Sequence, residues 1–377
     1  MTRRRLRLGM VGGGQGAFFG AAHRMAARLT DRFELVAGAL SSDPSRAVAS
    51  AVDLHIAPER AYSDFRVMAK TEAQRGDGID LVAIVTPNHL HTAVARAFLD
   101  AGIHVMCDKP LATTLSDALG LEAIATKSGL LFGVTYTNVG FGMVREARAI
   151  VAAGALGALR VVRVEFSQEW LAAAVEATGN KQAEWRTDPA RSGAGCLGDI
   201  GTHAFHLAEF VSGLRCEGLA AQVASFVPGR RVDDDANVLL RFQGGVHGAL
   251  WASQVAIGHA NGLNIRLYGE RASLAWSVAD ANALQFARIG EPPQRMERAG
   301  PGTHFPGRLP SGHPEGFVEA LAQLYDDIAD QIAARLARGH PQPSALLLPN
   351  AADGARGLRF IDAALRSGRS DGAWVNL

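Results

Sequence analysis

The stretch LRLGMVGGGQGAF, residues 6–18, decides the fold of this chain. A short apolar strand over 6–11 runs into glycines, and a helix is predicted over 17–29. Gly12, Gly14 and Ala17 match the pattern G-x-G-x-x-A. The first glycine permits a tight turn, the second lets backbone approach a pyrophosphate, and Ala17 allows close helix–strand packing. In this setting the motif predicts a dinucleotide site, and the alternative is a bare strand-to-helix turn.

Strand and helix signals alternate through the rest of the first third. Further strands are predicted over 33–40, 80–85, 103–107 and 130–135, with helices over 45–51, 91–101 and 115–128. Strands separated by helices of about 10–15 residues indicate a parallel, doubly wound sheet. We therefore predict an α/β protein whose residues 1–140 form a Rossmann dinucleotide-binding domain.

The pattern changes beyond residue 140. Closely spaced strands predict a large, mostly antiparallel sheet in a second α/β domain over 141–377. The predicted strands are 160–168, 220–226, 236–242, 248–255, 264–268 and 272–276. The predicted helices are 144–153, 317–338 and 351–366, and 290–314 is a predicted loop rich in Gly and Pro.

The chain length, net charge and cysteine count exclude several classes of protein. A chain of 377 residues is too long for one ordinary core, and its net charge of +1 gives no general attraction to nucleic acid or membrane. No apolar run reaches the roughly 18 residues of a membrane span. Three distant cysteines without a CxxC pair favour a reducing, cytoplasmic compartment. The arginines at 3–5 resemble a twin-arginine export signal, but we interpret them as a solvated tail, because cleavage of such a signal would remove the glycine loop.

The end of the second strand bears on the choice of dinucleotide. Ser41 stands where an acidic residue is expected to bind the adenosine ribose, and Arg46 follows five residues later. Without a carboxylate there is no repulsion against a 2′-phosphate, and Arg46 could pair with it, so NADP is admissible. NAD stays open because a serine hydroxyl can also bond a ribose. Asp43 is alternatively a helix cap.

Polar residues follow two buried strands. Ligands of open α/β sheets bind at the carboxyl ends of strands, which is where Asp108-Lys109-Pro110 stands. A lysine there can polarise a substrate oxygen or stabilise an alkoxide, and the alternative is an ion pair with Asp108. After the other strand, Asn88 either caps a helix or faces the cofactor, and His91 either packs or contacts the ligand.

The stretch GDIGTHAFH, residues 198–206, is the main candidate site of the second half. On a helix, Asp199 and His203 at i and i+4 would share one face. Asp199 could then fix the imidazole tautomer and raise its basicity, which suits a general base. His206 and Glu209 add a metal-like spacing, but no metal-type motif supports it, so no metal is predicted. A polar pair without chemistry is the alternative.

An indole beside polar groups is a usual platform for a sugar ring, and Trp185-Arg186 has this character. The alternative is a tryptophan half buried in a loop.

Together these motifs resemble the glucose–fructose oxidoreductase/inositol dehydrogenase/MocA-type family over nearly the whole chain. The markers are Gly12 to Ala17, Thr86 to His89, Asp108 to Pro110, and Asp199-x-x-x-His203. The run from Gly12 to Phe18, with Trp185 to Pro189, is similar to the branch of inositol, L-glucose and levoglucosan dehydrogenases.

The resemblance implies that Lys109 and His203 flank the reacting carbon, with Asp199 in support. It implies dimers or tetramers built through the second sheet. The implied substrate contacts are Lys109, Trp185, Arg186, Asp199, His203 and His206. The implied cofactor contacts are Gly12, Gly14, Gln15, Gly16, Ala17, Phe18, Ser41, Ser42, Arg46, Thr86, Pro87, Asn88, His91, Asp108 and Lys109. A substrate role for Tyr136 or Asn138, where relatives carry polar residues, stays open.

The resulting hypothesis is an NAD(P)-dependent oxidoreductase that interconverts a secondary hydroxyl and a ketone on a cyclic polyol, sugar or sugar derivative. One alternative is glycoside cleavage by transient oxidation and elimination, without net redox. Another is a non-catalytic dinucleotide or sugar sensor, against which the Lys109, Asp199 and His203 set argues. The expected partner is a small molecule, with neither nucleic acid nor membrane.

Overall fold

The computed structural model describes residues 4–377, and Arg3 of the arginine tail lies outside them. The next two arginines are exposed to solvent, as predicted, and each also forms an ion pair with the first domain. Arg4 donates two hydrogen bonds of 2.7 Å to the carboxylate of Asp80, and Arg5 pairs with Asp31. Both guanidinium groups are about half exposed, but each is held against the domain that follows.

The chain divides into two compact units. The first runs to Thr137, close to the predicted change at residue 140, and also takes in Leu321–Ala355. The second contains Asn138–Ala320 and Arg356–Leu377. The return of Leu321–Ala355 to the first unit differs from the prediction of 141–377 as one domain. Helical periodicity shows that a segment is amphipathic, but it does not show which core that segment covers.

The first unit has a five-stranded sheet in the order β2-β1-β3-β4-β5, parallel throughout as predicted. Its strands are β1 (Leu6–Gly12), β2 (Phe33–Ala39), β3 (Leu81–Val85), β4 (His104–Cys107) and β5 (Phe132–Val134). The helices between and after them are α1 (Phe18–Leu29), α2 (Pro44–Asp53), α3 (Phe65–Gln74), α4 (His91–Asp100) and α5 (Leu115–Ser128).

The central strands of this sheet are apolar because both faces are covered. Leu81, Val82, Ala83 and Ile84 of β3 are completely buried. In this strand order the chain reverses direction across the sheet between β1 and β3, which is where ligands of open α/β sheets bind. Gly12 at the end of β1 lies beside Val85 at the end of β3.

Helix α3 was not predicted. It buries a narrow stripe that includes Met68 and Ala69, so its apolar periodicity is weak. The signal that could have found it is Asp64, whose side chain accepts a hydrogen bond from the backbone N–H of Arg66 and caps the helix.

The second unit has a nine-stranded sheet in the order β13-β12-β11-β10-β6-β9-β8-β7-β14. Strands β6 and β9 pair in parallel and the other described pairs are antiparallel, which confirms the mostly antiparallel prediction. The strands are β6 (Leu159–Ser167), β7 (Cys216–Ala224), β8 (Asp235–Phe242), β9 (His247–Ser253), β10 (Gly262–Gly269), β11 (Ala272–Ser277), β12 (Ala283–Arg288), β13 (Gln294–Glu297) and β14 (Val375–Asn376).

The second unit contains the helices α6 (Gly142–Ala152), α7 (Lys181–Arg186), α8 (Pro189–Ser192) and α9 (Thr202–Ser212). Two further helices contribute to both units: α10 (Phe317–Leu336) and α11 (Ala351–Arg369). The predicted loop over 290–314 is corrected at its start, where β13 forms the edge of the sheet. A polar edge strand carries little apolar alternation to predict it. Across residues 4–377, each helix is too short or too polar to span a membrane.

Candidate functional site

The turn after β1 needs its glycines. Gly12 and Gly13 have φ angles of 76° and 69°, which L side chains rarely adopt. A Cβ on Gly12 would lie 2.4 Å from the carbonyl oxygen of Val85, and one on Gly14 would lie 2.6 Å from that of Leu40. The neighbouring strand ends therefore pack directly against the backbone of Gly12 and Gly14, where a side chain would not fit.

Close packing between helix and strand comes from Gly20, which corrects the role predicted for Ala17. A Cβ on Gly20 would lie 2.2 Å from the carbonyl oxygen of Gly13. Ala17 instead forms the N-cap of α1 and donates its backbone N–H to Gly14 at 3.1 Å. A second small residue one helical turn beyond the motif was the signal to look for.

The tip of the turn is tied to α2. The backbone N–H of Gln15 bonds Ser50 Oγ at 3.1 Å, and its side-chain amide donates to Asp53 at 2.7 Å. Gly16 is exposed, and the ring of Phe18 is 66% exposed at the start of α1. Of the predicted contacts here, Phe18 therefore offers an open apolar surface, while the Gln15 amide is already engaged.

The corner after β2 is organised by Asp43. Its carboxylate accepts the backbone N–H of Arg46 at 2.8 Å, so the capping alternative is confirmed. Ser41 Oγ accepts the N–H of Asp43 at 3.1 Å, and Ser42 is exposed. The side chain of Arg46 is exposed in the first turn of α2, where a phosphate on the ribose could meet it.

Thr86 carries an unsatisfied buried hydroxyl. Its Oγ1 has no hydrogen-bond partner in the described part of the chain, and its methyl group lies 2.9 Å from the position of a Cβ on Gly12. A buried donor without a partner costs roughly 1–3 kcal/mol, so such groups call for an explanation. The bare glycine turn and this hydroxyl together fit a dinucleotide bound at the ends of β1 and β3. Pro87, next in the chain, is half buried.

His91 is fully buried, and both ring nitrogens face backbone. Nδ1 lies 2.8 Å from the carbonyl oxygen of Pro110, and Nε2 lies 2.9 Å from that of Thr86. Burial lowers its pKa. This leaves no ring nitrogen for the predicted cofactor contact, and the ring instead ties together the segments after β3 and β4. Asn88 is buried, but Leu90 holds the N-cap position of α4 without a side-chain cap, so the capping alternative for Asn88 is wrong.

Asp108 belongs to a buried hydrogen-bond network that sequence reasoning missed. Its Oδ1 lies 3.0 Å from His23 Nε2 and accepts a 2.6 Å hydrogen bond from Thr135. His23 Nδ1 lies 2.8 Å from the hydroxyl of Tyr325. Burial opposes ionisation of Asp108, but the adjacent His23 and the two hydrogen bonds outweigh it and lower its pKa to about 2. Lys109, the next residue, is half buried.

Asp199 lies in a π-helical turn, Leu197–Gly201, that runs directly into α9. The prediction of an α-helix at Asp199 is therefore wrong, because the wider π turn replaces it there, while the pairing of Asp199 with His203 stays a prediction. His203 lies in the first turn of α9, half buried, with its ring centroid 6.2 Å from that of Phe166. Single π turns inside helices often occur at functional sites.

Two side chains hold the Asp199 carboxylate. Gln254 donates a 2.8 Å hydrogen bond to Oδ2, and Arg186 Nε lies 3.6 Å from the same oxygen. Gln254 directly follows β9, beside the end of β6, and sequence reasoning missed it although strand ends were the place to look. The guanidinium of Arg186 lies over the ring of Trp185 at 4.2 Å, so the predicted substrate pair is built into the support of Asp199.

The backbone before the π turn is held by Asp233. Its carboxylate accepts the N–H groups of Gly195 and Leu197 at 2.8 and 2.7 Å, and the thiol of Cys196 at 3.2 Å. Burial raises the pKa of that thiol. Asp233 thus fixes the entry to the segment that presents Asp199.

The metal-like spacing around His206 is used for packing. His206 is 9% exposed and stacks on Phe210, while Glu209 bonds Arg356 at 2.9 Å and the backbone N–H of Cys216 at 2.7 Å. Among residues 4–377, no group of three or more His, Cys, Asp or Glu side chains could hold a metal ion.

The predicted residues therefore form one set in each unit. The first unit brings the glycine turn, Thr86 and Asp108-Lys109 to the carboxyl ends of β1, β3 and β4. The second brings Asp199, Arg186 and Gln254 together at the carboxyl ends of β6 and β9.

Comparison with known proteins covers both units. Residues 6–136 match the model described as "Oxidoreductase family, NAD-binding Rossmann fold", and residues 144–275 match the "GFO/IDH/MocA C-terminal domain".

Individual relatives match along the whole chain. An oxidoreductase from Sinorhizobium meliloti is 47% identical, covering 99% of this chain and 100% of that one, with a TM-score of 0.88. An inositol dehydrogenase homologue from Azotobacter vinelandii, solved with NAD+, is 38% identical, covering 99% and 98%, with a TM-score of 0.93. The levoglucosan dehydrogenase of Pseudarthrobacter phenanthrenivorans is 26% identical over 99% of this chain and 98% of its own length.

Proposed function

This chain belongs to the GFO/IDH/MocA oxidoreductase family, and we propose that it is an NAD(P)-dependent dehydrogenase of a cyclic polyol or sugar. The observation that carries the proposal is the presence of two residue sets in one chain. One is the glycine turn with Thr86, at the strand ends of the sheet that also leads into Lys109, and the other is Asp199, held by Gln254 and Arg186 four residues before His203. Whole-length relatives named for inositol and levoglucosan support a cyclic substrate with several hydroxyl groups.

Residues around the first sheet would hold the dinucleotide. The backbone of Gly12 to Ala17 would receive the pyrophosphate, and Thr86 Oγ1 would gain the partner it lacks. When bound, a nicotinamide dinucleotide supplies the acceptor for a hydride from the substrate carbon. NAD is the first candidate because the Azotobacter relative was solved with NAD+, while Ser41 and Arg46 leave NADP open.

Three residues would act on the substrate hydroxyl. The ammonium group of Lys109 would stabilise negative charge as it develops on the oxygen. The imidazole of His203 would take the hydroxyl proton. Asp199 would orient that imidazole, and Gln254 and Arg186 hold Asp199 itself by its Oδ2. Trp185 would offer a ring face to the sugar, and His206 would contact the substrate from the same helix as His203.

We also propose a cytoplasmic homodimer or homotetramer that associates through the open face of the nine-stranded sheet. Leu239 on β8 and Tyr268 on β10 point away from the core and are 57% and 43% exposed. Exposed apolar side chains grouped on one face are typical of an interface. The three described cysteines are free and buried, which suits a reducing compartment.

A substrate panel tests this proposal. The purified protein is mixed with cyclic polyols, aldoses and anhydrosugars, with NAD or NADP, and the absorbance of reduced nicotinamide is followed. We expect reduction of NAD with at least one cyclic polyol or sugar. Cleavage of a glycoside without net reduction would indicate the elimination route, and tight dinucleotide binding without turnover on any member would indicate a sensor.

A further inference from the structure

Three side chains from distant parts of the first unit form a continuous hydrogen-bonded chain. His23 comes from α1, Tyr325 from α10, and Asp108 follows β4. The side chain of His23 is 1% exposed, and Tyr325 is fully buried. The distances are 2.8 Å from the Tyr325 hydroxyl to His23 Nδ1 and 3.0 Å from His23 Nε2 to Asp108 Oδ1.

The chemistry of the two ends sets the direction of this chain. An ionised carboxylate only accepts hydrogen bonds, so His23 Nε2 must carry the proton that faces Asp108. When the ring carries this proton alone, Nδ1 accepts a hydrogen bond, and the Tyr325 hydroxyl 2.8 Å away is the donor that faces it. Burial raises the pKa of Tyr325, so this hydroxyl keeps its proton. Successive bonds in one direction polarise one another and strengthen the hold on Asp108.

Both hydrogen bonds to the Asp108 carboxylate are made to the same oxygen. His23 and Thr135 both bond Oδ1, from α1 and from the residue after β5. Within the described residues, Oδ2 accepts no hydrogen bond, and the side chain is 19% exposed. The carboxylate therefore has a fixed orientation, with one oxygen left for solvent or a ligand. The backbone that leads into Lys109 is fixed with it.

Such a network is costly if packing is its purpose. A leucine and a phenylalanine could fill the space of His23 and Tyr325 without burying polar groups that must all be satisfied. Sequences that break the rule of apolar cores commonly do so to support functional sites. The residue that benefits most directly is Lys109, because it follows Asp108 in the chain.

We propose that His23 is a positioning residue for Lys109, acting through Asp108 and oriented by Tyr325. The relay holds the Asp108 carboxylate by Oδ1, so that it stays in place and presents the lysine at the carboxyl end of β4. This inference rests on the proposed function, in which Lys109 contacts the substrate oxygen.

The test compares His23→Leu, His23→Gln and Tyr325→Phe with the unaltered protein. Glutamine keeps a donor for Asp108 and an acceptor for Tyr325, whereas leucine keeps neither. Turnover, KM and NADH affinity are measured on the best substrate of the panel. Separately, acetylation of Lys109 by acetic anhydride is followed by mass spectrometry, with exposed Lys127 as the internal reference.

We expect His23→Leu to lower kcat by about 10- to 100-fold, the range for slight misplacement of a catalytic group, with NADH affinity retained. In His23→Leu, the rate of Lys109 acetylation relative to Lys127 should also change. Tyr325→Phe should show smaller changes in the same directions. His23→Gln should restore most of the kcat and most of the original Lys109 labelling rate. Unchanged kcat and Lys109 labelling beside a lowered melting temperature would overturn the proposal. So would a glutamine variant no better than leucine.

Tyr325→Phe removes one oxygen and keeps the ring, so it tests the relay even if His23→Leu does not fold. The labelling needs no turnover. If the protein oxidises no polyol but Lys109 labelling still depends on His23, the proposed function fails and the positioning role stands.

Discussion

Replacing Thr86 with valine should stabilise the protein without cofactor and weaken its binding of NADH. Thr86 Oγ1 is buried without a hydrogen-bond partner in the described chain, so the free protein bears the cost of desolvating it. Valine has nearly the same shape and removes that hydroxyl. The bound state should lose a hydrogen bond that the free state never had, and the two effects therefore have opposite signs.

The size of each effect follows from the environment of Thr86. An unsatisfied buried polar group costs roughly 1–3 kcal/mol, and because the residue as a whole is half buried we take about 1 kcal/mol as the gain on its removal. Loss of one neutral hydrogen bond to the ligand is also worth about 1 kcal/mol, which corresponds to about a fivefold higher Kd for NADH.

Urea unfolding without ligand measures the first effect, and NADH fluorescence titration measures the second. Thr135→Val is the matched control, since its hydroxyl already donates to Asp108 at 2.6 Å. That variant should lose about 1.5–3 kcal/mol of unfolding free energy, as expected for a hydrogen bond to a charged group. Destabilisation by Thr86→Val, or NADH binding equal to that of the unaltered protein, would refute the reasoning.

Other changes test the supports of the site. Gly20→Val should lower the free energy of unfolding by about 1–3 kcal/mol in urea, because its Cβ would overlap the carbonyl oxygen of Gly13. Arg186→Lys should lower kcat/KM about tenfold with NADH affinity retained, since lysine loses both the Nε that faces Asp199 and the stacking of the guanidinium on Trp185. The Asp108→Asn variant should have a free energy of unfolding about 2 kcal/mol lower than the unaltered protein above about pH 4, because the depressed pKa of Asp108 stabilises the folded state there. That difference from the unaltered protein should shrink as the pH falls from about 4 to about 2.

Each of these has a control or a contrary result. Gly120→Ala in α5 meets nothing within 4 Å and should be neutral or slightly stabilising, so equal losses at Gly20 and Gly120 would contradict the packing argument. An Arg186→Lys variant that loses NADH affinity instead of turnover would disconnect Arg186 from Asp199. A pH-independent effect of Asp108→Asn would show that the carboxylate gains nothing from its charge.

The first unit was the more predictable half of the fold. The fully apolar run of β3 and the glycine turn at Gly12 are local sequence signals, and each correctly predicted the strand or turn that forms at its own position. The passage Leu321–Ala355 could not be placed, because its partners lie far away in sequence. Short polar elements such as β13 and α3 were missed, since their stability depends on neighbours more than on their own periodicity.

In the candidate site, too, the features with local sequence signals could be predicted, and those that depend on distant residues could not. Motifs identified Lys109 and the Asp199–His203 pair by residue type and spacing. The supports of these residues come from distant segments that no local pattern connects: Gln254 beside Asp199, and Tyr325 behind His23, which lies 302 residues away in sequence. The π turn at Asp199 also escaped prediction, because the same letters are compatible with an α-helix.

The most direct test of the central claim is the turnover of Lys109→Ala and His203→Ala with the best polyol or sugar of the panel. Reduced nicotinamide is followed by absorbance and NADH binding by fluorescence in the same preparations. The account predicts that each variant binds NADH as the unaltered protein does and loses at least about 100-fold in kcat, as expected when a charge-stabilising or proton-accepting group is removed. Near-normal rates in both variants would contradict it.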